Sequence, residues 1–332
     1  MQQVIVTRPI AGPPAAADFA LIDAPTPDCP EGGILVEVAH ISLDPYVGAA
    51  LRGRHMGHAA AKEGDVPPGH GVGRIIASKA DGFAVGEHVL AETGWRSVAA
   101  VPAGGVYRKV DPAIAPLSTA VGVLGMPGLT AWAGSTQLGQ ARAGDVVLVS
   151  AAAGPVGGAF GQIARIKGAA KVIGIAGGAD KCALVTERYG FDACVDYKAE
   201  GWKDEVARVT GGQVSLYIEN VGAETLMVAL GNLALYGRII LCGLAGHYHS
   251  DGPPATVPIG PIVGKRAAMR GLVVYDYYPR HDEFVAEAAP WLADGRLKTV
   301  EDRAAGLAGA PALLEKLMAG RNMGKAVVDV NP

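Results

Sequence analysis

The sequence predicts an α/β protein of two domains, a mostly-β module followed by a doubly wound parallel sheet. Three observations carry this. The chain has 332 residues, too many for one ordinary core. Residues 1 to about 125 read as short β segments set between Gly and Asp turns, with few helical runs. From Ala141 onward, apolar strands alternate with helical segments, the rhythm of a parallel sheet covered on both faces.

In the first module the strand segments are GGILVEVAHISL, GHGVGRIIAS, GEHVLAE and WRSVAAVP. In the second, GDVVLVS is a buried strand and VGGAFGQIARIKG a helix that packs through its glycines. KVIGIAG is a strand, DKCALVTERYG a helix, ACVDY a strand, GWKDEVARVT a helix and VSLYIENVG a strand. AETLMVALGNLAL is predicted as a helix, GRIILCGL as a strand and RGLVVYDY as a last strand. The strands are apolar without interruption, as strands covered on both faces are. The helix HDEFVAEAAPWLADG follows, and GKAVVDVNP reads as one more strand, without a helix partner and free to return to the first module.

Composition narrows the function. Half the residues are hydrophobic and 18% are charged, so a large core can be buried. The formal net charge is −3 and no basic block appears, which argues against a nucleic-acid or anionic-membrane partner. The 47 Gly and 22 Pro stand singly at turns and act as punctuation, not disorder. Cys29, Cys182, Cys194 and Cys242 form no C-x-x-C pair, which fits a reduced, cytoplasmic protein. The start MQQVIVTRPI has no signal-peptide pattern, and no apolar run reaches the roughly 20 residues of a membrane span.

The segment AAAGPVGGAFG aligns with the dinucleotide turn G-x-G-x-x-G, with Ala152 in place of the first glycine, Gly154 as the second and Gly157 as the third. The second lets backbone approach a pyrophosphate, and the third lets helix and strand pack closely. Ala152 is tolerated if φ there is negative. Pro155 suits the first helical position. The helix N–H groups and dipole then face the phosphates. The turn follows a predicted strand and opens a helix, the context the motif requires.

An NAD site wants an acidic residue about 20 residues on, at the end of the second strand. That tip is Gly177–Gly178, without a carboxylate, and Lys181 follows, where a cation can meet a 2′-phosphate. Asp180 is the rival candidate, but it precedes an amphipathic helix and reads as its N-cap. The charge pattern favours NADP over NAD. His70, in PPGHGVGRI, invites a zinc reading, but zinc catalysis needs about three N, S or O ligands. His40, His55, His58, His70 and His88 are scattered without metal spacing, so His70 reads as a structural turn residue and no metal is expected.

ISLDPYV, GMPGLTAW, AAAGPVG, GGADKC, VDYK, YIENVG, GRIILCG and RNMGK occur in this order. With them the chain resembles the medium-chain dehydrogenase/reductase superfamily over nearly its whole length. Within it, the chain looks like the zinc-independent alkenal, leukotriene and prostaglandin reductases. PGHGVG falls where zinc-bearing relatives keep Gly-His-Glu, with Gly71 replacing the acid. Gly48 departs from the family, whose members often carry Arg soon after the tyrosine of DPY. The resemblance implies a GroES-like β-barrel domain (1–125 and 300–332) plus a Rossmann domain (126–299), with the active site in the cleft between them, and a homodimer. It implies NADP(H) held through Ala152, Ala153, Gly154, Val156 and Gly157 at the pyrophosphate, and through Lys181 and Tyr197 at the 2′-phosphate. Asn220 lines the groove, and Thr130 lies near the nicotinamide. Cys242, Gly243, His247 and Tyr248 cover the ribose and ring. Leu272, Val273 and Val274 meet the carboxamide, and Asn322 arrives from the C-terminal segment.

The implied reaction is reduction of the C=C bond of an α,β-unsaturated aldehyde or ketone. Hydride goes to the β-carbon, and the enolate oxygen needs donors aimed at it. By resemblance these are the nicotinamide ribose hydroxyl and Tyr248, while water or Tyr248 protonates the α-carbon. Tyr46 walls the substrate pocket, and Tyr248 also reads as a plain wall of the cleft. A zinc-independent quinone or carbonyl reductase, and a non-catalytic NADPH-binding protein, are the alternatives.

Overall fold

The computed structural model describes all residues except 58, 247, 249–255 and 332. The chain divides into two compact units, Met1–Gly122 with Glu301–Pro332, and Val123–Val300. In the first run of chain lie β1 (Gln2–Val6), β2 (Phe19–Asp23), β3 (Ile34–Leu43), α1 (Tyr46–Leu51), β4 (His70–Ser78), β5 (His88–Glu92), β6 (Val98–Val101) and β7 (Val106–Val110). The second unit holds α2 (Met126–Trp132), β8 (Val146–Val149), α3 (Pro155–Ile166), β9 (Lys171–Ala176), α4 (Ala179–Ala183), β10 (Ala193–Asp196), α5 (Trp202–Thr210) and β11 (Val214–Glu219). It continues with α6 (Ala223–Gly231), β12 (Leu233–Leu241), α7 (Gly260–Lys265), β13 (Ala268–Gly271) and α8 (His281–Ala293). Strand β14 (Glu301–Ala305), α9 (Ala310–Met318) and β15 (Lys325–Asp329) belong to the first unit.

The first unit is a GroES-like β module around the long strand β3. Strand β4 pairs along one edge of β3. The other edge is divided: β6 takes Ile34–Glu37, and β15 takes His40–Leu43. A strand with three partners bends the sheet over its own apolar face, where Ile34, Val36, Val38, Ile41 and Leu43 meet Trp95 and the helix residues Leu313 and Leu314. The C-terminal strand therefore does return to the first module, with Ala326 opposite Leu43.

The second unit is a Rossmann domain. Its six strands are all parallel, in the order β10-β9-β8-β11-β12-β13. Numbered from β8, this is 3-2-1-4-5-6, and the direction of winding reverses between β8 and β11. Leu148, Ile173, Tyr217 and Ile239 are fully buried in the sheet core. Among the described residues no helix is long and apolar enough to cross a membrane.

Two predicted boundaries are corrected. The helix expected over AETLMVALGNLAL ends at Gly231, and Leu233 already opens β12. Asn232 closes the helix by donating its Nδ2 to the Val228 carbonyl at 2.8 Å. The strand expected over RGLVVYDY ends at Gly271, and Val274–Arg280 forms a 3-10 segment. Leu272 is buried and its N–H still donates to the Leu241 carbonyl at 2.8 Å, whereas Val273 is half-exposed.

Candidate cofactor site

In an open parallel sheet, ligands bind beyond the carboxyl ends of the strands where the order reverses. Here those ends are Ser150 after β8 and Glu219–Asn220 at β11. Gly154 is the N-cap of α3, and Pro155 occupies the first helical position as predicted. The left-handed residue of the turn is Ala151 (φ 49), one before Ala152, which keeps a negative φ. Ala152 and Ala153 are buried beneath the turn. A β-carbon at Gly157 would lie 2.5 Å from the Ala151 carbonyl oxygen and 3.0 Å from Ala152 Cα, so only glycine lets the helix start this close to the strand. At Gly154 the one neighbour within 4 Å of such a carbon is the Ala151 oxygen at 3.2 Å, which leaves the outer side open. The first N–H groups of α3, those of Val156 and Gly157 among them, have no carbonyl of their own helix to bond. Donors, positive helix end and open backbone together fit a pyrophosphate.

At the end of β9, Gly178 has φ 101 and is the N-cap of α4. Asp180 is therefore a first-turn residue, not the cap. A carboxylate does reach the tip, from the neighbouring strand: Asp196 Oδ1 accepts from Gly178 N–H at 2.8 Å and from Lys198 N–H at 2.9 Å. Tyr197 follows at once, 48% exposed, with its ring against Gly177. Lys181 stands on α4, partly buried. Lys181 and Tyr197 thus flank one glycine tip.

The switch point is organised by a residue that sequence reasoning missed. Glu219 is completely buried. Its carboxylate accepts from Ser150 Oγ (2.9 Å), Tyr217 Oη (2.6 Å), Val221 N–H (2.6 Å), Gly222 N–H (3.0 Å) and Thr225 Oγ1 (2.9 Å). Ser150 Oγ in turn accepts from Asn220 N–H at 2.7 Å, and Asn220 Nδ2 donates to the Ser150 carbonyl at 2.8 Å. Asn220 is thereby fixed across the reversal. The main-chain oxygen of Glu219 accepts from the N–H groups of Cys242 (2.9 Å) and Gly243 (3.0 Å), which tie down the loop after β12. Burial, then the charge of Glu219, push the Cys242 thiol up to about 12. Burial likewise raises the Tyr217 hydroxyl well above 10. The signal for Glu219 was a single acid ending an apolar strand, in YIENVG.

Tyr248 folds back on this loop. Its hydroxyl oxygen accepts from Leu244 N–H at 3.4 Å and lies 3.5 Å from a β-carbon built on Gly243, and burial raises its pKa. Thr130 is buried on α2 and donates to the Met126 carbonyl at 2.7 Å, and α2 packs on α3. His247 lies outside the described residues.

The remaining candidates belong to the first unit. Tyr46 opens α1, with its ring centroid 4.8 Å from that of His55 and 6.3 Å from that of His70. His70 is not a turn residue; it starts β4 and is buried. Its Nε2 is 3.4 Å from Glu92 Oε2, and its ring packs edge-on to Tyr107 at 4.8 Å. Burial lowers its pKa, against the opposing pull of Glu92. At Gly71 a β-carbon would lie 2.2 Å from Thr93 Oγ1, so no acidic side chain fits beside His70. Among the described residues no group of three or more His, Cys, Asp or Glu is placed to hold a metal ion. Asn322 is buried, and its Nδ2 donates to the Gly324 carbonyl at 2.8 Å. Lys325 and Asp44 form a buried pair at 3.3 Å at the start of the DPY turn.

Comparison with known proteins places the chain. The family model described as the N-terminal domain of oxidoreductase matches residues 2–109, and that described as zinc-binding dehydrogenase matches residues 155–294. The NADPH-dependent curcumin reductase of Escherichia coli is 32% identical over 98% of this chain and 96% of its own length. The 2-alkenal reductase (NADP(+)-dependent) of Nicotiana tabacum is 33% identical over 99% and 97%. Prostaglandin reductase 1 of Bos taurus is 34% identical over 96% and 95%. The crystal structure of CurA from Vibrio vulnificus in complex with NADPH superimposes with a TM-score of 0.91 at 35% identity, covering both chains completely.

Proposed function

The chain belongs to the zinc-independent, NADP-dependent branch of the medium-chain dehydrogenase/reductase family, with the alkenal and prostaglandin reductases, and from that premise we propose that it saturates the C=C bond of α,β-unsaturated aldehydes and ketones. One observation carries the reading: proteins named for NADPH or NADP(+) and for a 2-alkenal match this chain from end to end. The residues fit the cofactor. The start of α3 suits the pyrophosphate, and Lys181 with Tyr197 suits the 2′-phosphate.

When bound, NADPH supplies the hydride. The rest falls to the protein. Gly154, Val156 and Gly157 hold the diphosphate by backbone. Asn220, locked by Ser150, lines the groove, and Thr130, Leu272, Val273, Val274 and Asn322 complete the cofactor contacts. Tyr248 donates its hydroxyl proton in a hydrogen bond to the enolate oxygen, and its raised pKa keeps that proton in place at neutral pH. Tyr46 walls the substrate.

The active species is a homodimer. In support, β13 is the last strand of its sheet and mostly exposed, and Tyr236, Ile259 and Val263 near it are among the most exposed large apolar residues.

NADPH oxidation with an enal, an enone, a quinone and a saturated aldehyde tests the reaction. Turnover is expected with the enal and enone, and none with the saturated aldehyde. Turnover of the quinone alone, or of none of the four, overturns it.

A further inference from the structure

We propose that Glu219 is a charge partner of the nicotinamide ring, an uncompensated carboxylate that favours the cationic, oxidised cofactor over the neutral, reduced one. This rests on the NADPH-dependent reaction proposed above.

The observation that asks for an explanation is the charge itself. The five groups that Glu219 accepts from are all neutral donors, and no ion pair among the described residues includes it. Burying an acid without a cation is costly, and a neutral side chain could cap the same turn.

Its position supplies the reason. Glu219 ends β11 at the reversal of the sheet, where cofactors bind. Its own backbone oxygen anchors Cys242 and Gly243, at the start of the loop proposed to cover the ribose and ring. Its field extends into that loop, because it contributes to the raised pKa of Cys242.

The reaction changes the charge there by one unit. Bound NADPH would supply a hydride, both electrons of its ring C–H bond going into a C–H bond at the substrate β-carbon, and its ring would be left positively charged. The substrate is reduced to an enolate, which then takes a proton. A fixed negative charge favours the side on which the ring is positive, and so lowers the barrier to hydride release. It needs no movement to do so.

A purely structural role is the alternative, and a ratio separates the two. Dissociation constants for NADPH and NADP+ are measured by titration calorimetry on the intact protein, with thermal melts to check folding. In Glu219→Gln the constant for NADP+ should rise about five- to thirtyfold more than that for NADPH. Thr225→Val removes a donor but keeps the charge, and should shift both constants by the same factor. If Glu219→Gln does not fold, Cys242→Lys supplies the missing cation and should tilt the ratio the same way. Equal weakening of both forms by whichever charge variant folds, or no change in either, overturns the inference alone. A wild-type protein that binds neither form overturns the proposed function, and the inference with it.

Discussion

Gly177 packs closely against Tyr197: a β-carbon on the glycine would fall 2.7 Å from a ring carbon of the tyrosine and 2.9 Å from its hydroxyl oxygen. The glycine tip is thus more than the absence of an acid. It makes room for the ring of Tyr197 at the tip that leads into α4, the helix that carries Lys181. Lys181→Ala should raise the KM for NADPH about ten- to a hundredfold, the worth of one charge-assisted hydrogen bond, and leave that for NADH nearly unchanged. Gly177→Ala should displace the ring and weaken NADPH alone, by a smaller factor. Steady-state kinetics with both cofactors decides. Equal use of the two by the wild-type protein would refute the assignment.

The contact of Gly157 is with backbone, not with a movable side chain, so its substitution should be harsher. Gly157→Ala must push α3 away from Ala151 and Ala152. We expect about 1–3 kcal/mol of lost stability in denaturant unfolding, together with loss of NADPH binding. A variant that is as stable and binds as well as the parent would show that the turn is not the cradle.

Much of this site was legible because it is written in backbone chemistry. Glycines at fixed offsets, a proline at the first helical position and strand–helix alternation are local signals, and they located the turn before α3, the glycine pair after β9 and the parallel sheet. What local pattern misses is contact between distant segments. Asp196 holds the tip through Gly178, 18 residues away, and Ser150 meets Glu219 from 69 residues away. The misplaced strand has a similar cause. Leu272–Val274 is as apolar as any strand, but the ladder with β12 stops at Gly271 opposite Leu241. Apolar character alone does not say where pairing ends. His70 looked like a turn residue because glycines surround it, yet those glycines serve close packing: Gly71 against Thr93, and Gly73 against the backbone of Glu37.

That packing bears on metal. Activity should survive exhaustive chelation, because the position beside His70 has no room for an acidic ligand. Gly71→Glu should not create a zinc site; it should destabilise the first unit, since its β-carbon would overlap Thr93 Oγ1. Stoichiometric zinc in the purified protein, with activity lost on its removal, would overturn this.

His70 also predicts a pH dependence. Burial holds its folded-state pKa below 6.5, near which it titrates when unfolded. Between the two values the unfolded chain binds more protons, so stability rises with pH across that window and falls on acidification. Melting temperature should begin to drop below about pH 6.5, with a slope from this group of at most about 1.4 kcal/mol per pH unit. His70→Gln should flatten that part of the profile. An unchanged slope would mean that other groups set it.

The sharpest test concerns the reaction at Tyr248. Ene reduction leaves the carbonyl intact, whereas alcohol dehydrogenase chemistry consumes it. Conjugate addition places its charge on an oxygen that a neutral hydroxyl can stabilise, and Tyr248 keeps its proton because burial raises its pKa. The hydroxyl oxygen accepts from Leu244 N–H, which helps to fix the ring on this loop. Tyr248→Phe should therefore lower kcat about ten- to a thousandfold, with little change in the KM for NADPH, and hardly at all if the ring is only a wall. The alkaline limb that this donor contributes should lie above pH 10. With deuterated NADPH and an enal, the label should appear on the β-carbon of a saturated aldehyde. Deuterium on the former carbonyl carbon of an allylic alcohol would place the protein in a different reaction class, and Tyr248 would then have no enolate to serve.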